Sequence, residues 1–199
     1  MLTRFFSLFL LLGFLITVYA SDRREYKIDN NHSTVGFSVP ILGGLSHVLG
    51  KFTDFNIAVQ ADEQDITKSS VKVVIKTASI DTGIDARDKH LRTADFFDAE
   101  KFPEITFEST QIKKRGKGFV AVGNLTMRGV TKQIELLFSI TGVNKRDGLT
   151  NIGYAAKLVL NRRDYGVNWE HPTAPGFVGD NIEVEINLIT KGIKDSTQK

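Results

Sequence analysis

The sequence predicts an all-β fold of about eight antiparallel strands with one short helix. Three observations lead there. Apolar residues alternate at period two in many separate segments, which is the pattern of strands with one buried and one wet face. Glycine-containing turn signals lie between those segments, as hairpins require. A single stretch, residues 84–97 (IDARDKHLRTADFF), lacks the alternation and carries the Ala, Arg, Lys and Leu content of a short helix with a following loop.

The chain begins with a short basic segment, Met1-Leu-Thr-Arg4, and an apolar run from Phe5 to Val18 broken by Ser7, Gly13 and Thr17. Val18-Tyr19-Ala20 puts small residues at the two positions a signal peptidase reads. A cleavable signal peptide over residues 1–20 is expected, and with it export of the chain. The run is shorter than the roughly 20 apolar residues that cross a bilayer comfortably, and no second hydrophobic segment follows.

The first strand with clear alternation holds Val35, Phe37 and Val39. Leu45 to Ala61 reads as one long strand, and Val71, Val73 and Ile75 mark the next. After the helical excursion, which ends before Lys101-Phe-Pro103, a long strand runs from Glu104 to Lys114 with Ile105 and Phe107 on one face. Lys114 to Gly118 is a hairpin turn, as are Arg128-Gly129 and Asn144 to Gly148. Between them, Ile134, Leu136, Phe138 and Ile140 share a face. Leu149 to Arg162 is a further long strand carrying Tyr154, Ala156, Leu158 and Leu160 inward. Ile182, Val184, Ile186 and Leu188 complete the series. Residues 21–191 form a single domain without linker or repeat, and 192–199 read as a flexible polar tail. Such strands close into a barrel or stack as a sandwich. Long strands that bend across the domain favour the barrel, which at eight strands is filled by side chains or holds one small ligand.

Composition narrows the function. The chain has no cysteine, which excludes disulfides, thiol catalysis, iron–sulfur clusters and cysteine zinc sites. The formal net charge is +3, one unit of it from Arg4 in the leader, and no concentrated basic face with interleaved aromatics points to nucleic acid. The basic cluster Lys113-Lys114-Arg115 with Lys117 reads first as a solvated hairpin tip and second as a membrane-surface contact. Of fourteen phenylalanines, Phe5, Phe6, Phe9 and Phe14 fall in the leader. The others, with Trp169 and Tyr154, either fill a barrel or line an elongated cavity.

Several motifs fail. His32, His47, His90 and His171 have no metal-ligand spacing, so no metal or cofactor is expected. Gly44-Leu-Ser46-His-Val48 lacks the second glycine of a nucleophile elbow. Asp81-Thr82-Gly83 matches the aspartic-protease triplet, yet only one copy is present and that chemistry needs two carboxylates. It reads instead as a strand end before the helix. Asp85, Asp88 and Asp95 interleave with Arg87, Lys89 and Arg92, which suits local ion pairing.

Tyr26-Lys-Ile-Asp29 with His32-Ser33, the Ser79 to Gly83 segment, Arg87-Asp88, His90-Leu91-Arg92 and Asp95 to Asp98 together resemble the YceI-like family. Phe102-Pro103 through Thr110, Gly123 to Thr126, Arg128 to Thr131 and Arg163 to Val167 continue the resemblance in order. The resemblance implies an extended, eight-stranded, lipocalin-like barrel in the bacterial periplasm. It also implies a long isoprenoid or other amphiphilic, fatty-acid-like lipid as ligand, and no catalytic residues. Strand alternation nominates the cavity wall: Phe37 and Val39, Ile105 and Phe107, Leu125 and Met127, Leu136 and Phe138, Tyr154 and Leu158. His90 and Arg92, in the one polar irregular excursion, form or brace its mouth. Membrane-surface contact and a homodimer stand open as further partnerships. The rival readings are a lipid-modifying enzyme using the same cavity and a filled interaction barrel without ligand.

Overall fold

The computed structural model describes residues 23–62 and 64–194. The expected signal peptide and residues 195–199 lie outside the described residues. Twelve strands form a single sheet, antiparallel throughout. They are β1 (Arg23–Lys27), β2 (Thr34–Ile41), β3 (Ser46–Phe52), β4 (Phe55–Asp62), β5 (Ser70–Lys76) and β6 (Ile80–Asp81), followed by β7 (Glu104–Arg115), β8 (Gly118–Met127), β9 (Val130–Arg146), β10 (Leu149–Asn161), β11 (Asn181–Ile189) and β12 (Ile193–Lys194). Among the described residues there is one α-helix, α1, which spans Asp85–Leu91.

The count of twelve reduces to eight because three strands are bent and the two-residue β12 only flanks the start of β10. A single helical turn at Asn30–His32 separates β1 from β2. Asp29 holds that turn, accepting from the Asn31 N–H at 3.1 Å and lying 2.8 Å from His32 Nδ1. Thr53 and Asp54 kink β3 into β4, and a turn at Thr77–Ser79 breaks β5 from β6. The bent pairs lie side by side: β1 on β4 and β2 on β3, then β4 on β5 and β3 on β6. The remaining neighbours follow from β5 through β7, β8, β9, β10 and β11. β11 then pairs with β2, and the ring closes. A closed ring leaves no long unpaired edge, which satisfies the backbone of an all-β chain that has no disulfide to hold it.

Local chemistry fixes the turns. At Arg128-Gly129 and Asp147-Gly148 both residues have positive φ, from 50° to 75°. That is the two-residue hairpin geometry whose twist matches its strands. β10 begins at Leu149, so the expected Asn144–Gly148 turn is tighter than its sequence suggests. Ile193–Lys194 pairs with Leu149 and Thr150, so the chain rejoins the sheet for two residues within the expected tail. A bulge between Ser109 and Gln111 shifts the parity of β7, and Ile112 faces inward in place of its predecessor. Ile140 is exposed because β9 has by then run past the end of β8.

The barrel is packed at one end and hollow at the other. Tyr26, Ile57, Val59, Ala121 and Ile152 fill the packed end and are all buried. The chain crosses itself beneath them: the Asp29 N–H donates to the Ile189 carbonyl at 2.9 Å and the Lys191 N–H to the Lys27 carbonyl at 2.7 Å. The basic tip at Lys113–Lys117 belongs to this end, where Arg115 pairs with Glu135 at 2.7 Å.

Candidate ligand-binding site

The hollow end encloses a cavity of about 380 Å³. Its wall is built by the alternation of the strands. β2 contributes Phe37 and Val39, β7 Ile105 and Phe107, β8 Leu125 and Met127, β9 Leu136, and β10 Leu158. Two of these rings sit against a glycine. A Cβ on Gly50 would stand 2.2 Å from the Phe37 ring, and one on Gly123 would stand 2.6 Å from the Phe107 ring. A larger residue at 50 would displace the Phe37 ring, and one at 123 would meet the Glu108 carbonyl at 2.4 Å as well as the Phe107 ring.

Two residues nominated for the cavity wall do not border it. Phe138 and Tyr154 face inward but sit deeper, in the packed region. Phe138 stacks on Phe119 at 5.5 Å between ring centroids, and Tyr154 lies 6.5 Å from Phe138. Period two reports which face a residue occupies, and says nothing of its height along the barrel.

The mouth end is assembled from α1 and two irregular segments. His90 borders the cavity, as expected of the excursion, whereas Arg92 does not. Arg92 Nη2 donates to the Ile80 carbonyl at 2.8 Å and ties the excursion to β6. His90 Nε2 lies 2.7 Å from Asp95 Oδ2, and its ring stands edge-on to Phe96 at 5.0 Å and to Trp169 at 5.4 Å. Trp169 meets His171, and His171 meets Phe177. A continuous row of rings therefore crosses this end.

Arg87, His90 and Arg162 are the ionisable residues on the cavity boundary. Arg87 is engaged by Thr82, its Nε donating to the hydroxyl at 2.7 Å and Nη2 to the carbonyl at 2.8 Å. Arg162 is 4% exposed and donates to the carbonyls of Val167 and Trp169 at 2.8 and 2.9 Å. Its Nη2 also stands 3.0 Å from Asp180. Burial lowers the Arg162 guanidinium from its ordinary value, and Asp180 opposes that shift. Burial beside Asp164 raises the Tyr165 hydroxyl from its ordinary value. Nothing on the cavity wall pairs a nucleophile with a base. Among the described residues, no group of three or more His, Asp or Glu side chains is placed to hold a metal.

Strand alternation could not place Trp169, Phe96, Phe97 and Phe177, which line the mouth from loops where no periodicity operates; aromatic content alone offers them as barrel filling or cavity lining. The sequence pattern also missed Arg87, read as part of a local ion-pair cluster, and Arg162, read as the end of a long strand. The aromatic content of those loops was the one available signal.

A YceI-like domain model matches residues 26–190. The chain belongs to the YceI-like family. A UPF0312 protein of Serratia proteamaculans is 37% identical over 177 residues, covering 87% of this chain and 90% of that protein. The YceI protein of Campylobacter jejuni is 31% identical with a TM-score of 0.68, covering 76% of this chain and 88% of that one. A polyisoprenoid binding domain from Saccharophagus degradans shares the fold at a TM-score of 0.62 and 15% identity, over 84% of this chain and 98% of that one.

Polar residues of the motifs that carry the family resemblance brace the mouth, while Ile105, Phe107 and Leu125 of the same motifs line the lumen. Asp81 Oδ1 accepts the Gly83 N–H at 2.9 Å, and buried Asp88 accepts the Thr82 N–H at 3.0 Å. This is the structural role of the Asp-Thr-Gly triplet. Arg128 donates to the carbonyls of Gly166 and Ala94 at 2.6 and 2.7 Å, clamping the loop after β10 to the loop after α1. Arg163 donates to Asp180 and Glu170 on the outer side.

Proposed function

We propose that this protein is a periplasmic carrier that holds the tail of a long-chain isoprenoid or other amphiphilic lipid in the hollow end of the barrel. The observation that carries the reading is the division of the cavity: an apolar lumen of about 380 Å³ with its ionisable residues restricted to Arg87, His90 and Arg162. That is the composition of a ligand pocket, mostly apolar with a few polar groups that fix orientation. Family membership and a fold shared with a polyisoprenoid binding domain suggest a binding protein rather than an enzyme. Both arginines on the boundary donate to groups of the protein itself, which leaves them little freedom for acid–base chemistry. With the leader expected from sequence, the proposed carrier would work in water between membranes, where an apolar tail needs shelter.

Loading requires contact with a membrane. Leu42 and Leu45, at the tip between β2 and β3, are 52% and 83% exposed, and the adjoining Ile41 and Val48 border the cavity. This tip is the surface we assign to that contact, in preference to the basic tip at the packed end.

Native mass spectrometry of protein purified from the cell envelope tests the proposal. The expected result is a mature chain starting at Ser21 with a long-chain lipid bound, which organic extraction removes. A mature chain that carries no lipid, and whose Trp169 fluorescence is indifferent to added polyprenol and fatty acid, overturns it.

A further inference from the structure

We propose that Phe138, backed by Phe119 and Tyr154, is the stop that sets the length of tail the cavity accepts. The inference rests on the tail-binding reading above and adds what limits it. Along β9 the inward residues are Ile134, Leu136 and Phe138; the first two border the cavity and the third does not. Along β10, Leu160 and Leu158 border it, and Ala156 and Tyr154 lie beyond. The lumen therefore ends between Leu136 and Phe138.

The small neighbours explain why one ring can close it. Phe138 pairs across the ladder with Ala156 on one side and Phe119 on the other. Ala121 pairs with Leu136 one step nearer the cavity. The two alanines leave the space that the Phe138 ring occupies, and stacking on Phe119 at 26° between planes holds the ring there. A smaller residue at 138 lowers the floor by one inward layer, two residues of strand or about 7 Å. A larger residue at 136 raises it.

The test titrates delipidated protein with saturated fatty acids from octanoic to stearic, so that head group and charge stay constant and length alone varies. Trp169, the only tryptophan in the chain, borders the cavity and reports occupancy by its fluorescence. For the wild type, affinity is expected to rise up to about fourfold per added methylene. It then levels or falls at the acid whose tail reaches Phe138. Phe138→Ala moves that break to acids several methylenes longer, and Leu136→Phe moves it to shorter ones. Phe138→Leu, a gentler truncation, serves if the alanine variant does not melt cooperatively, and is expected to give a smaller shift in the same direction. Affinity that climbs through stearic acid without a break overturns the stop. So does a break that folded Phe138→Ala or Phe138→Leu protein shares with the wild type; tail binding itself then stands. A wild type that binds none of the acids overturns the stop, and one that binds no polyprenol either removes the tail-binding reading with it.

Discussion

His90 and Arg92 are two residues apart in one excursion, yet their side chains serve different ends. The His90 ring is part of the cavity boundary and sits among Phe96, Trp169 and Asp95. The Arg92 guanidinium reaches back to the Ile80 carbonyl and holds the excursion on the sheet. Alanine at each position separates the two roles. Arg92→Ala loses a charge-assisted bond of about 1.5–3 kcal/mol and lowers the melting temperature, while tail affinity by Trp169 fluorescence holds. His90→Ala removes an edge-to-face contact of about 0.5–1.5 kcal/mol from the wall and weakens tail affinity by up to about tenfold. Reduced affinity in Arg92→Ala protein of unchanged melting temperature would return Arg92 to the rim. The same scale explains what sequence conveys of the site. Phe37, Ile105 and Leu136 could be placed on the wall because their neighbours alternate. Arg162 could not, because nothing in Arg162-Arg163 distinguishes a guanidinium buried against four backbone carbonyls from a solvated one.

The tip between β2 and β3 combines features that a soluble hairpin normally avoids. Leu42 has φ of 52° and Gly43 and Gly44 have φ of 68° and 91°, so the turn holds a leucine in the left-handed region. A non-glycine residue there costs on the order of 1–3 kcal/mol. The turn nonetheless directs Leu42 and Leu45 outward beside the cavity mouth. Burying one leucine in a membrane is worth up to about 1.5–3 kcal/mol. The Leu42→Ser/Leu45→Ser double variant is therefore expected to slow transfer of a bound tail to vesicles by at least about tenfold, without lowering the melting temperature. Replacing Lys113 and Lys114 by glutamine at the opposite end leaves transfer unchanged. A stopped-flow assay that finds the reverse order would assign the contact to the basic tip. Elements were legible in the sequence to differing degrees for physical reasons. The period-two strands and the helix within residues 84–97 were readable from local pattern. The kink at Thr53–Asp54 was not, since it arises from closing the ring across β3 and β4 onto different partners.

A barrel that keeps one end of its interior hollow forgoes packing that a filled one has. At about 24 cal/mol per Å³ of cavity, a lumen of about 380 Å³ corresponds to at most roughly 9 kcal/mol of unmade contacts. That is comparable to the entire stability of an ordinary domain, about 5–15 kcal/mol. The packed end, built around fully buried Tyr26 and the stitched crossing at Asp29 and Lys191, must carry the empty protein. A tail that fills the lumen supplies contacts made only in the folded state, so occupancy and stability are linked. With free ligand at about a hundred times Kd the gain is about 2.7 kcal/mol. For a domain of this size that raises the melting temperature by about 5–10 °C. Vesicles compete for the same tail and shelter it equally well, so adding them to loaded protein is expected to bring the melting temperature back toward that of the extracted form. Differential scanning calorimetry of extracted, reloaded and vesicle-treated protein measures all three states. If extracted and reloaded protein melt together, the lumen is not an occupied site. A shift that vesicles fail to reverse would mark the protein as a sink for its lipid rather than a carrier.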